Sequence, residues 1–146
     1  MTNALRLTAL SVVLLGFARP AIAQVEFRPA PGAALGPFTE AVRVGNLLFL
    51  SGMIGTDSTG TLVKGGIEAE TRQTLENIRR AVVRNGLTMD RVVKCTAFLA
   101  DIAEWPAMNQ VYVTFFPGPK PARSALGGVK LVRDARVEIE CIAALR

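Results

Sequence analysis

Histidine is absent from this 146-residue chain, and its absence removes whole classes of chemistry. Catalytic units with an imidazole base and zinc sites with His ligands both need a side chain that is not there. Cysteine is scarce: Cys95 and Cys141 are the only two, with no CxxC spacing, so neither a cysteine metal site nor a thioredoxin-like pair is available. Aromatic residues make up 6% of the chain, and the net charge of +5 is spread over separated arginines with no run of like charge. A nucleic-acid groove is therefore not implied. No apolar run reaches the roughly 20 residues that a membrane-spanning helix requires.

What is present begins with an export pattern. Arg6 leads into an apolar run from Leu7 to Ala18, followed by Arg19-Pro20 and the small-residue pattern Ala21-Ile22-Ala23. This reads as a signal peptide over residues 1–23, cleaved before Gln24, which would place the protein outside the inner membrane, in the periplasm, and free of the membrane after cleavage. Residues 24–34 read as an N-terminal extension and 35–146 as one domain. An oxidising compartment would permit a Cys95–Cys141 disulfide. Each Cys lies in an apolar run of strand character, however, and the preferred reading is two unpaired residues serving as small hydrophobes.

The segment Arg28–Pro37, rich in Pro and Gly, reads as a loop. Ala41–Val44 and Leu47–Leu50 flank Gly45-Asn46 as a β-hairpin, and Ser51-Gly52, then Gly55 to Gly66, reads as loop. Leu75, Ile78 and Val82 recur at helical spacing within Ile67–Arg84, stopped by Asn85-Gly86. Arg91–Ala100 alternates as a half-buried strand. Asp101 with Glu104 resembles a capping box, and Trp105, Met108, Tyr112 and Phe115 form the apolar stripe of a second helix. Arg123–Val129 and Val137–Ala143 read as two further strands, paired as a terminal hairpin. The order ββ, α, β, α, ββ suggests an α+β fold: a mixed or antiparallel sheet with two helices on one face. The other face needs a cover, and the economical cover is another copy of the chain in a closed homo-oligomer.

Two features suit chemistry. Arg123 follows Pro119-Lys120-Pro121-Ala122 at the mouth of a strand, where a stiff loop would orient a guanidinium fork toward a carboxylate. In Val137-Glu138-Ile139-Glu140, alternation puts both carboxylates on one sheet face, and one of them suits a general base. A solvated arginine and a wet sheet face are the plainer readings of the same spacing. Ser51 and Ser124 have no histidine base. The glycines between Gly45 and Gly66 form no phosphate-binding fingerprint.

Taken in order, Gly36-Pro-Phe-Thr-Glu-Ala-Val42, Phe49-Leu-Ser-Gly52, Gly60-Thr-Leu-Val63, Thr71-Arg-Gln-Thr-Leu-Glu-Asn77, Val92-Val-Lys-Cys-Thr-Ala-Phe-Leu99, Asn109-Gln-Val-Tyr112, Pro121-Ala-Arg-Ser124 and Val137-Glu-Ile-Glu140 resemble the motifs of the RidA/YjgF family of imine deaminases. The resemblance covers nearly all of residues 35–145. It implies a chorismate-mutase-like α+β fold, a homotrimer with a central barrel, and active sites in clefts between subunits. The implied activity is hydrolysis of 2-imino acids, tautomers of enamines such as 2-aminoacrylate, to 2-keto acids and ammonium, with no metal or organic cofactor.

Carried over by position, Arg123 would clamp the substrate carboxylate, and Glu138 would activate water and pass a proton to the departing nitrogen. The carbonyl of Ala125 would help hold that water, and Phe38, Ser51 and Asn109 would line the cleft as substrate-binding residues. Phe38 stands where well-known members carry Tyr, Ala125 where many carry Cys, and Met53 where Gln is frequent. The imines would have to arise outside the inner membrane, supplied by an exported oxidase or dehydrogenase. The alternative is a non-catalytic metabolite-binding or chaperone-like trimer of the same fold. A ribonuclease reading, known for some members, finds no His and no basic groove here.

Overall fold

The computed structural model describes residues 24–31 and 37–145. Residues 1–23, where the sequence reads as a signal peptide, and part of the linker lie outside the described residues. Two amphipathic helices pack on one face of a seven-stranded mixed sheet. The strands are β1 (Val25–Arg28), β2 (Ala41–Val44), β3 (Leu47–Leu50), β4 (Met53–Ile54), β5 (Val92–Leu99), β6 (Ala122–Gly127) and β7 (Val137–Ala144). The helices are α1 (Gly66–Arg84) and α2 (Trp105–Thr114).

Local sequence explains most elements. In α1, Thr71, Leu75, Ile78 and Val82 are fully buried at helical spacing, while the arginines between them stay at the surface. Cutting one of these apolar side chains to Ala would cost about 2–5 kcal/mol through the cavity left behind. The hairpin forms as expected, with Gly45 at φ 56° in the turn, a conformation open to glycine at no steric cost. Asp101 caps the 3-10 turn Ile102–Glu104 that leads into α2, its Oδ1 accepting the amide of Ala103 at 2.9 Å. Glu104 does not complete the expected capping box; its carboxylate pairs instead with Arg136, a stronger, charged donor. Pro106 sits in the first turn of α2, where no backbone donor is missed.

Three expectations need correction. Val25–Arg28 is a strand, antiparallel to β2, where only a terminal extension was foreseen. The last two strands do not form a hairpin. β6 runs parallel to β5 at the end of the β5–α2–β6 crossover, while β7 inserts between β3 and β5, giving the order β1-β2-β3-β7-β5-β6. The connection between them passes through Arg133 and Asp134, both left-handed at φ 59° and 55°, which turns the chain back across the sheet. Finally, Cys95 and Cys141 are joined in a disulfide. They face each other across β5 and β7 with Cα atoms 4.1 Å apart, so the register that alternation alone left open brings the two sulfurs together.

Burial alternates along β7, with Val137, Ile139, Cys141 and Ala143 under the helices and Glu138 and Glu140 on the opposite face. That opposite face is unusually apolar, since Val25, Phe27, Leu47, Phe49, Val93 and Leu126 are all at least 40% exposed. Among the described residues no helix is long and apolar enough to cross a membrane.

Candidate active site

The six residues expected to form a site fall into two groups on different parts of the sheet. The first is built by β6 and α2. Arg123 stands on β6, the edge strand, and its Nη2 donates to Oδ1 of Asn109 at 2.7 Å. Its guanidinium carbon lies 4.3 Å from the centroid of the Tyr112 ring and 5.5 Å from that of Trp105. Such contacts favour a cation by about 0.5–2 kcal/mol according to how far water is excluded. Nη1 is buried and has no hydrogen-bond partner among the described residues. An arginine is always charged and all its nitrogens are donors, so this atom lacks an acceptor, and an anion is the natural one. Ala125 is exposed two residues along β6 and shares with Trp105, Pro106, Ala103 and Ile102 a shallow depression of about 500 Å³.

The second group is built by β7, the β3–β4 segment and the turn before β7. Phe38, Ser51, Gly52, Ile54, Val132, Arg133 and Glu138 line an open cleft of about 500 Å³. Glu138 pairs across the sheet with Ile54 of β4 and with Phe98 of β5. Gly52 leaves room for its carboxylate: a Cβ there would stand 2.0 Å from Glu138 Oε1. Ser51 spends its hydroxyl proton on the carbonyl of Thr39 at 2.6 Å, which ties the strand end to the segment carrying Phe38. Phe38 is 73% exposed at the cleft wall.

The outer wall of this cleft is held by polar contacts. Asn77 of α1 donates to the carbonyls of Ile54 and Thr56, both at 3.0 Å. Asp57 Oδ1 accepts the Thr59 hydroxyl at 2.7 Å and the amides of Thr59 and Thr61. Those donors, the Thr59 hydroxyl foremost, hold the Asp57 carboxyl below the usual carboxylate range. Arg133 crosses from its left-handed turn to donate to the Gly60 carbonyl.

The structure therefore joins Arg123 with Asn109 and, more loosely, Ala125. It joins Glu138 with Ser51 and Phe38. It does not join the two groups within one chain. Trp105, Tyr112 and Arg133 were missed as site residues, the first two because they were read as core stripe. A signal was available in the spacing Trp105, Asn109, Tyr112, which is i, i+4, i+7 and puts all three on one helical face. Tyr112 is 3% exposed, and burial pushes its hydroxyl up to about 12, against a smaller opposing pull from the Arg123 charge. No group of three metal-ligating side chains occurs among the described residues.

Comparison with known proteins gives consistent matches. The family model described as Endoribonuclease L-PSP matches residues 27–145. The chain is 42% identical over 112 residues to a mouse protein named 2-iminobutanoate/2-iminopropanoate deaminase, covering 76% of this chain and 83% of that one. It is also 42% identical over 114 residues to the chloroplastic Reactive Intermediate Deaminase A of Arabidopsis thaliana, covering 77% of this chain and 61% of that longer relative. Among solved structures, the YjgF gene product of E. coli superposes with a TM-score of 0.73 at 35% identity, over 86% of this chain and 98% of that one. Two helices on a mixed sheet in this topology are the chorismate-mutase-like fold.

Proposed function

The chain belongs to the Endoribonuclease L-PSP family, the RidA/YjgF family, and from that premise we propose that it hydrolyses 2-imino acids to 2-keto acids and ammonium. The observation that carries this reading is the buried Nη1 of Arg123, which has no hydrogen-bond partner among the described residues while Nη2 is held by Asn109. A 2-imino acid brings a carboxylate for that atom. Names of relatives at about 40% identity support the same class of substrate.

The chemistry asks little of the protein. A protonated imine is already electrophilic, so water and substrate need mainly to be positioned. Glu138 takes a proton from water as its oxygen bonds to the imine carbon, and the C=N bond becomes a C–N single bond. Glu138 then returns a proton to nitrogen. The C–N bond breaks as the hydroxyl on the former imine carbon gives its proton to Glu138 and becomes the carbonyl, and the departing ammonia takes up that proton as ammonium. The Ala125 carbonyl helps orient the water, and Phe38 and Ser51 shape the wall. No step calls for a metal or organic cofactor.

Arg123 and Glu138 lie in separate groups, so we read the working site as shared: the Arg123 group of one copy meets the Glu138 group of the next in a homotrimer. The exposed apolar strand face supports such an assembly, because patches of that kind are usually covered. The apolar run and small-residue site at the start of the sequence support export. The test is release of keto acid and ammonium from freshly generated 2-iminopropanoate, beside Arg123→Ala. Acceleration over the spontaneous rate that disappears in the variant is the expected result. Equal rates with and without protein, for small and bulky imino acids alike, would leave the metabolite-binding trimer as the better account.

A further inference from the structure

We propose that Tyr112 is a positioning residue for carboxylate recognition: its buried ring is a platform that fixes the plane of the Arg123 guanidinium, with Trp105 as a second wall. The proposal rests on the reading of Arg123 as the substrate's carboxylate anchor.

A free arginine side chain carries large rotamer entropy, which a ligand would have to remove on binding. In this chain much of that freezing is done on folding. The Asn109 contact fixes Nη2, but one hydrogen bond leaves the fork free to swing about it. The Tyr112 ring, 4.3 Å from the guanidinium carbon, blocks that swing from one side, and Trp105 restricts it at 5.5 Å. The platform is itself immobile: Tyr112 is 3% exposed and packs on Phe116 with ring centroids 4.9 Å apart. Because Trp105, Asn109 and Tyr112 share one face of α2, a single rigid element sets all three contacts. What remains for a ligand is Nη1, buried and without a hydrogen-bond partner among the described residues.

The Tyr112 hydroxyl is also buried without a partner among the described residues. Burial keeps it a neutral phenol through the physiological range, so the cation meets the ring's π face and not a phenolate. The ring should therefore suffice, and Phe should replace Tyr.

The experiment measures binding of propanoate and of propanamide by calorimetry to wild type, Tyr112→Phe, Tyr112→Leu and Trp105→Leu, with turnover of 2-iminopropanoate in parallel. Tyr112→Leu is expected to weaken propanoate about tenfold, with propanamide unchanged, and to raise KM while kcat moves little, as loss of a desolvated cation–π contact predicts. Tyr112→Phe restores affinity to within about twofold of wild type, and Trp105→Leu weakens propanoate about threefold. A folded Tyr112→Leu that binds propanoate like wild type would overturn the proposal. So would a Tyr112→Phe as weak as Tyr112→Leu, because the hydroxyl would then be the acting group. Should Tyr112→Leu not fold, Trp105→Leu at the rim decides, and unchanged propanoate affinity there overturns the platform. Wild type that binds propanoate but turns over no imine would sink the deaminase reading and leave this one standing.

Discussion

The Arg123 region and the Glu138 region solve opposite problems. Around Arg123 the side chain is pinned before any ligand arrives, by a hydrogen bond from Nη2 to Asn109 and by the faces of Tyr112 and Trp105. Around Glu138 the carboxylate stands in a cleft of about 500 Å³, with a glycine where a side chain would crowd it. The contrast fits the task proposed for each region. A group that recognises a fixed carboxylate gains from rigidity, because entropy lost in folding is not lost again on binding. A group that must accept and return a proton gains from room for water and for small shifts. On the proposed reading, recognition is built into one helix face, while the chemistry is left to an open cleft.

If the two regions act as one site across neighbouring copies, the largest effect comes from breaking each in turn. Arg123→Ala and Glu138→Ala should each lower kcat/KM by on the order of 10²–10³. Mixed and re-equilibrated, the two inactive proteins should regain part of the activity, since some seams would pair an intact Arg123 with an intact Glu138. Absence of recovery despite demonstrated subunit exchange would place the whole site within one chain.

Next in size is Gly52→Ala. Its methyl group would stand 2.0 Å from Glu138 Oε1, far inside contact distance, so the carboxylate must rotate away. The flexible end of a side chain can give way cheaply, so the melting temperature should barely move. Misplacing a catalytic group by about 1 Å can nevertheless cost as much as 10²-fold in rate. Steady-state kinetics beside a thermal melt would separate the two, and wild-type kcat would show that the position of Glu138 matters less than argued.

The disulfide links the regions physically. Cys95 pairs with Cys141 on one side and stands in register with Arg123 on the other, so one row of the sheet runs from β7 through β5 to β6. Replacing both cysteines by Ala should cost about 2–4 kcal/mol, or roughly 10 °C in melting temperature. It should also weaken carboxylate binding more than it alters the environment of Glu138.

The smallest effect is alkaline. The Tyr112 hydroxyl is raised from its usual value of 10.0 to about 12 in the folded protein. Above pH 10 the unfolded chain loses this proton and the folded chain keeps it, so stability falls as pH rises from about 10 to 12. Tyr112→Phe should flatten that part of the curve in urea melts. An unchanged slope would mean that the hydroxyl titrates normally.

Much of the fold was legible because it depends on near neighbours. The β2–β3 hairpin, both helices and the inside–outside alternation of β7 follow from turn residues and periods of two and 3.6. β1 was missed because Val25–Arg28 is only four residues long beside a Pro-rich segment, and its support comes from pairing with β2. The terminal hairpin was a wrong inference from adjacency, since β7 finds its partners in strands far earlier in the chain. Arg123 and Glu138 were visible as chemistry-bearing residues. Tyr112 and Trp105 were hidden in plain view, because an apolar stripe looks the same whether it meets core or a cation.

By itself, then, the sequence determined which chemistry is available: no imidazole, one arginine on a stiff approach, carboxylates alternating along a strand, and an order of motifs that marks the family. Only the tertiary structure decided where these meet. It paired Cys95 with Cys141, set Arg123 on the face of α2, and put Glu138 in a different cleft. Register and strand order are properties of long-range pairing, and a shift of a single residue would turn every one of these side chains to the other face of the sheet.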